Sequence, residues 1–153
     1  MAGRRDAIKM SDGEIGSFLQ AGRDLQVASI NADGTPHLVT MWYAMQDGEI
    51  AFWTYGKSQK VLNLRRDPRL SVLVATGDKY EELKGVSIIG RAEIVDDPDA
   101  VLDYGEAVYE RYWGPLNDTV MEGVRAMSTK RVVIVVKPVK ILSWDHSKLG
   151  GAY

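Results

Sequence analysis

The 153-residue chain has no cysteine. That excludes a disulfide framework, a thiolate metal site and a thiol nucleophile, and it leaves nothing that requires an oxidising compartment, so the cytoplasm is the expected location. Histidine is nearly absent too: His37 and His146 stand far apart, without a carboxylate at ligand spacing. No metal is therefore expected, and each histidine reads as a satisfied or exposed side chain. No stretch approaches the ~20 apolar residues of a membrane helix, and the basic start MAGRRDAIKM lacks the apolar core of a secretory signal. Nor does one sign of charge dominate. Nineteen Lys and Arg against twenty-one Asp and Glu give a net charge of -2, so no overall field draws the chain to nucleic acid or to an anionic membrane, and any anion site has to be local. The nucleophile elbow G-x-S-x-G, the phosphate loop G-x-x-x-x-G-K-[ST] and a G-x-G-x-x-G stretch after a strand are all missing. Hydrolase and nucleotide-hydrolysing readings have no support.

What is present is an ordinary globular composition, 45% hydrophobic and 26% charged, at a length that suits one domain over residues 1–153. SDGEIGSFLQAG (residues 11–22) offers Ser11 as N-cap with Glu14 three residues on, then Ile15, Phe18 and Leu19 at helical spacing and Gly22 as a stop. Residues 24–55 alternate and carry turn signals at Asp33-Gly34 and Gln46-Asp47-Gly48, which predicts three antiparallel strands in one meander. RLSVLVATG (69–77) and KGVSIIGRAEIVDD (84–97) predict two more strands, the second bulged or closely approached at Gly90. Residues 97–114 and 116–128 read as helices, the first with Val101, Tyr104, Val108 and Tyr112 on one face. KRVVIVVKPVKILSW (130–144) returns to strand, with Pro138 marking an edge or a kink. The expected fold is mainly β (α+β): a closed or partly split barrel of about six or seven antiparallel strands with short peripheral helices.

The stretch TYGKSQKVLNLRRDPR (54–69) runs from strand into helix and places Lys57 and Lys60 where the helix dipole is already positive. A bound phosphate resolves that conflict. Ser58 can cap the helix and donate its hydroxyl, the free N–H groups of Gln59 and Lys60 can face an oxyanion, and Asn63 lies about one turn on. The same lysines also read as solvated residues bending away from the dipole. Arg65 and Arg66, in the last turn before Asp67-Pro68, are explained by the dipole without a ligand. Tyr104, Tyr109, Tyr112 and Trp113 crowd one helix and read first as core or subunit contact, then as a substrate wall. In the tail SWDHSKLGGAY, Trp144, His146 and Lys148 alternate and would share a face on an extended chain, an arrangement suited to closing over a ligand.

DGTPHLVTMWYAMQDGEIAFWTYGKSQKVLNLRRDPRLSVLV (33–74), followed by GVSIIGRAEIV (85–95), resembles the flavin and deazaflavin oxidoreductases of the pyridoxamine 5'-phosphate oxidase-like split β-barrel superfamily. The K-V-x-N-L-R-R-D-P-R run is most similar to actinobacterial members that use coenzyme F-420. The resemblance implies a homodimer with the cofactor in a groove between subunits. It assigns the phosphate to Thr54, Lys57, Ser58, Gln59 and Lys60, with Asn63 on the same helix, and runs Val39, Thr40, Met41 and Trp42 along the tricyclic ring through backbone contacts. Lys130 and Arg131 resemble positions that bind the acidic tail of F-420, and Trp144 to Lys148 resembles a C-terminal piece that approaches the cofactor. The implied activity is hydride transfer from reduced deazaflavin to a conjugated organic acceptor, with catalytic side chains unassigned. Flavin mononucleotide is the alternative cofactor, although its users carry Arg-Lys where this chain has Gln59-Lys60. A non-catalytic cofactor- or haem-binding protein is the third reading, with His146 as the candidate axial ligand.

Overall fold

Two glycine turns organise the first half of the sheet. The strands β1 (Leu25–Ile30) and β2 (Pro36–Met41) are joined through Asp33, whose carboxylate accepts from the Thr35 N–H, and Gly34 at φ 85°. The strands β3 (Ala44–Gln46) and β4 (Glu49–Tyr55) are joined by Asp47 and Gly48, both at positive φ, the pattern of a tight hairpin. β5 (Arg69–Thr76), β6 (Lys84–Val95) and β7 (Arg131–Asp145) complete one antiparallel sheet in the order β2-β1-β5-β6-β7-β4-β3. The computed structural model describes residues 3–151, in which five helices surround this split barrel: α1 (Arg4–Ala7), α2 (Asp12–Ala21), α3 (Gln59–Arg66), α4 (Pro98–Trp113) and α5 (Asp118–Ser128).

The expected three-stranded meander is corrected: there are two hairpins, and they lie at opposite edges of the sheet. The chain crosses between them at Trp42 and Tyr43, and α4 supplies the backbone partners that a ladder would have given. The Tyr112 hydroxyl accepts from the Tyr43 N–H at 3.1 Å and donates to the Arg23 carbonyl, while the Tyr104 hydroxyl accepts from the Ala44 N–H at 3.0 Å and donates to the Ala51 carbonyl. Side-chain hydroxyls thus satisfy buried peptide groups at the crossover, which is what permits the split.

The core fills in two layers. Inside the barrel lie Leu25, Val27, Phe52, Val61, Leu64, Val72, Val86 and Ile134; between the sheet and α4–α5 lie Ala51, Trp53, Val101, Tyr104, Val108, Val124, Val133 and Val135. Each fully buried valine here is worth ~1.5–3 kcal/mol relative to exposure. The expected bulge is present: the β6–β7 register slips between Ile89 and Gly90, leaving Val139 without an opposite partner next to Pro138, and a Cβ at Gly90 would lie 2.6 Å from the Lys137 carbonyl oxygen. The capping box of Ser11 and Glu14 forms at the start of α2. The tail does not extend. Residues His146–Leu149 form a short 3-10 turn that folds back on the N-terminal segment. Asp145 N–H donates to the Ile8 carbonyl at 2.7 Å, and Lys148 Nζ reaches the Lys9 carbonyl and Glu14, each at 2.7 Å.

Candidate functional site

β3 covers β4 only along Glu49–Ala51, so Phe52 to Tyr55 have no strand partner on that edge, and β2 forms the other free edge of the sheet. The two edges come together where Tyr109 of α4 touches both Trp42 and Trp53, with ring centroids 6.0 and 5.9 Å apart. The N-terminus of α3 follows directly from the end of β4, by way of Gly56, whose N–H donates to the Lys130 carbonyl at 2.9 Å.

At that N-terminus Ser58 has the extended backbone of an N-cap, yet its side chain makes no capping hydrogen bond. The expected cap is corrected: the hydroxyl turns toward Thr54 Oγ1, 3.5 Å away, and the first-turn N–H groups receive no side-chain acceptor. Lys60 folds back over the same point and donates to Thr54 Oγ1 at 2.9 Å. Burial holds the Lys60 ammonium below its ordinary pKa. Among the described residues no carboxylate lies within ion-pair distance of Lys57, Lys60, Lys130 or Arg131. A partly desolvated cation, two hydroxyls and an uncapped helix terminus form a cradle of donors without a matching acceptor, which is the chemistry a phosphate group requires.

Beside the cradle is a cleft of about 440 Å³ lined by Tyr55, Lys57, Asp96, Lys130 and Arg131, three cations against one carboxylate. The Arg131 guanidinium carbon lies over Trp53, 5.0 Å from its ring centroid, and Arg131 donates to the Met127 carbonyl. A larger cleft of about 610 Å³, at the far end of the barrel, is lined by Ser11, Glu14, Lys84 and Asp145 among others. Its charges are already paired, Lys84 with Asp145 and Lys148 with Glu14, so size does not make it the better anion site.

The other expected site residues fall into separate groups. Gln59 donates to Asn63 Oδ1 at 2.8 Å, and Asn63, fully buried, donates to Ser29 Oγ and Asn31 Oδ1. Asn63 therefore ties α3 to β1 beneath the cradle, and its donors are already used. Val39 and Met41 turn into the core, Thr40 donates to Gln26, and Trp42 stacks on Tyr112 at 4.4 Å, which leaves the outer backbone edge of β2 as the surface a ligand would meet. Trp144 packs over Gly85, and Lys148 is held by Glu14, both at the opposite end of β7 from the cradle. The expectation that Trp144, His146 and Lys148 share one extended face is thus corrected. His146 sets Nδ1 2.8 Å from the Tyr80 carbonyl.

Sequence reasoning passed over two features. His37 faces Ser29 across the β1–β2 ladder and is half-buried, and its Nδ1 is enclosed without a hydrogen-bond partner, so it is neither fully satisfied nor exposed, the two outcomes expected. Counting outward from the Asp33-Gly34 turn would have found that pairing. The stack of Arg131 on Trp53 joins residues with no local signal in common. Among the described residues no group of three or more His, Asp or Glu could hold a metal, and no helix is long and apolar enough to cross a membrane.

Comparison with known proteins gives these contacts a context. The family model for pyridoxamine 5'-phosphate oxidase matches residues 11–145. The conserved hypothetical protein Rv2991 from Mycobacterium tuberculosis is 47% identical, with 99% of this chain and 95% of that one covered and a TM-score of 0.91. An F420 reductase is 28% identical over 82% of this chain and 93% of its own, with a TM-score of 0.67. A FAD-binding protein from Mesorhizobium loti, 21% identical with 88% of this chain and 94% of that one covered at a TM-score of 0.63, shares the fold. No curated protein matches the chain.

Proposed function

The chain belongs to the pyridoxamine 5'-phosphate oxidase family, and from that premise we propose that it is a coenzyme F-420-dependent oxidoreductase that reduces a conjugated organic acceptor. The observation that carries the reading is Lys60, a half-buried cation whose partner is a neutral hydroxyl, set at an uncapped helix terminus. The similarity to an F420 reductase supports the same choice.

When bound, the deazaflavin supplies hydride-transfer chemistry, and the protein supplies binding, orientation and exclusion of water. Lys60, Ser58, Thr54 and the α3 terminus hold the phosphate, with Lys57 adding charge from the surface. The free edge of β2 from Val39 to Trp42 offers peptide N–H and C=O groups to a flat ring. Lys130 and Arg131 offer charge to an acidic tail, and Trp53 fixes the Arg131 guanidinium. Gln59 and Asn63 position the helix. Tyr43 and Tyr104 are poor proton donors: burial pushes Tyr43 to about 12 and raises Tyr104 further, and their hydroxyls are given to the Leu19 and Ala51 carbonyls. Protonation of the product falls to solvent or to an exposed tyrosine.

The reading includes a homodimer with the cofactor between subunits. The uncovered outer face of the sheet supports it, with Leu38 68% and Ile89 44% exposed. Because Trp144 and Lys148 lie at the far end of β7, any contribution from them comes from a second subunit. Flavin mononucleotide remains the second reading, since the donor cradle accepts any phosphate and the FAD-binding protein shares the fold.

The test is turnover under anaerobic conditions. Reduced F-420 should be oxidised by a conjugated acceptor only when the protein is present, whereas reduced flavin mononucleotide should give no enzyme-dependent rate. Turnover with the flavin alone would move the assignment to a flavin enzyme.

A further inference from the structure

Trp113, the last residue of α4, is 60% exposed, and Trp42, the first residue after β2, is 40% exposed. They are not isolated. Trp113 meets Tyr109 edge-on at 4.8 Å and Trp42 at 6.4 Å, Trp42 meets Tyr109 at 6.0 Å, and Tyr112 stacks on Trp42 at 4.4 Å with an angle of 8° between the rings. Core packing explains Tyr104 and Val108 on the same helix, which are buried; it does not explain two tryptophans left in water.

Three features point to what this shelf receives. First, it is held in place before anything binds: the Tyr112 hydroxyl accepts from the Tyr43 N–H and donates to the Arg23 carbonyl, so the ring beneath Trp42 is anchored at its hydroxyl end. Second, the tyrosine hydroxyls point away from the shelf, that of Tyr109 toward Met127 Sδ and that of Tyr112 toward Arg23. The surface therefore presents ring faces and edges and asks for little hydrogen bonding in return. Third, the shelf continues from β2, because Trp42 follows Met41 without a break, and Tyr109 joins it to Trp53 under Arg131. Charge does not choose the occupant, since exposed Arg23 and Glu110 put both signs nearby.

We infer that the Trp42–Tyr109–Trp113 shelf is the docking platform for the hydride acceptor, and that it selects a planar conjugated ring system by stacking. The inference rests on the cofactor reading above, because the shelf is a substrate site only if the redox ring lies along β2. No covalent step is assigned to these side chains; they orient the acceptor and keep water from one side of it.

The test uses menadione, a planar quinone, and 2-cyclohexenone, a puckered enone, as probes. Contact of each with the full chain is measured by saturation-transfer NMR and by equilibrium dialysis, with and without F-420. The wild type should bind menadione far better than cyclohexenone. Trp113→Ala should weaken menadione about tenfold, as expected for the loss of one stacking partner, while Trp113→Phe restores most of it and the affinity for F-420 stays within about twofold in both variants. Unchanged menadione binding in Trp113→Ala overturns the inference. So does a shift in sedimentation coefficient for that variant, which would make the shelf a contact between copies of the chain. If F-420 fails to bind the wild type, the cofactor reading fails by itself; menadione contact that is nevertheless lost in Trp113→Ala would keep the planar-ring site, and contact that persists would remove it.

Discussion

At the C-terminal end of β7, Lys84 lies 3.2 Å from Asp145 and Lys148 lies 2.7 Å from Glu14, whereas at its N-terminal end Lys57, Lys130 and Arg131 line one cleft and, with Lys60 in the first turn of α3, have no carboxylate in ion-pair range among the described residues. The first arrangement fastens the tail of the chain to α2 and β6. The second leaves positive charge uncompensated beside a helix terminus of the same sign. Surface pairs contribute little each, so the C-terminal latch matters for where the tail goes more than for total stability. An unpaired cation taken partly out of water is a cost in the free protein, and a ligand that brings negative charge removes it. The difference separates a structural end from a binding end more clearly than cavity size does.

The largest expected effect is at Lys60. Lys60→Ala should weaken F-420 binding by ~1.5–3 kcal/mol, the range for hydrogen bonds to charged groups. The melting temperature of the cofactor-free protein should fall little, because the partly desolvated charge removed has only the neutral Thr54 hydroxyl as its partner there. A lower melting temperature with unchanged affinity would make Lys60 part of the scaffold and erase the contrast between the ends.

At the other end, Gly85→Ala drives a methyl group into the Trp144 ring. Overpacking of this kind costs ~1–3 kcal/mol of stability, read by chemical denaturation. Affinity for F-420 at the cradle should survive where the variant is folded; a selective loss of affinity would bring Trp144 to the cofactor of a partner subunit.

Acid should open the latch before the barrel. A hydrogen bond from Lys148 holds Glu14 below its ordinary 4.5. At Asp145 burial acts to raise the value from 3.8, and bonds from Ser147 and Lys84 outweigh it, so the net direction is also downward. Depressed carboxylates stabilise the fold above their ordinary values, and that contribution is lost as the pH falls below 4.5 and 3.8 through the lower folded ones. Hydrogen exchange should show the Asp145 and His146 amides losing protection in that window while Val133 and Val135 keep theirs. Simultaneous loss would mean that latch and barrel are one cooperative unit.

The smallest effect is expected at Arg66, the last residue of α3, which donates to the Ile30 carbonyl and to Asn63 at the opposite end of the helix from the cradle. Arg66→Ala should leave F-420 affinity unchanged by the same titration. A loss equal to that at Lys60 would show that α3 has no separate ligand end and scaffold end.

Much of this was legible residue by residue. Ser11 with Glu14, the bulge at Gly90, the buried face of α4 and the positive start of α3 are local signals, each set by geometry within a few residues. The failures are non-local. Nothing in residues 24–55 reveals that Tyr104 and Tyr112, some sixty residues on, replace the ladder between β2 and β3. The tail alternates like a strand, but Lys148 finds Glu14 at the other end of the chain, and that contact decides its path. Asn63 looked available to a ligand because its partners, Ser29 and Asn31, come from another hairpin. The aromatic crowding on α4 was visible, while its division into buried Tyr104 and exposed Trp113 depended on where the helix ends over the sheet.

The measurement that bears most directly on the account is a fluorescence titration of wild type and Lys60→Ala with F-420 and, separately, with flavin mononucleotide at moderate salt. The account predicts micromolar or tighter F-420 binding by the wild type, weaker flavin binding, and an F-420 affinity that falls at least about tenfold in the variant. Flavin binding tighter than F-420, or equal F-420 affinity in the two proteins, would contradict it.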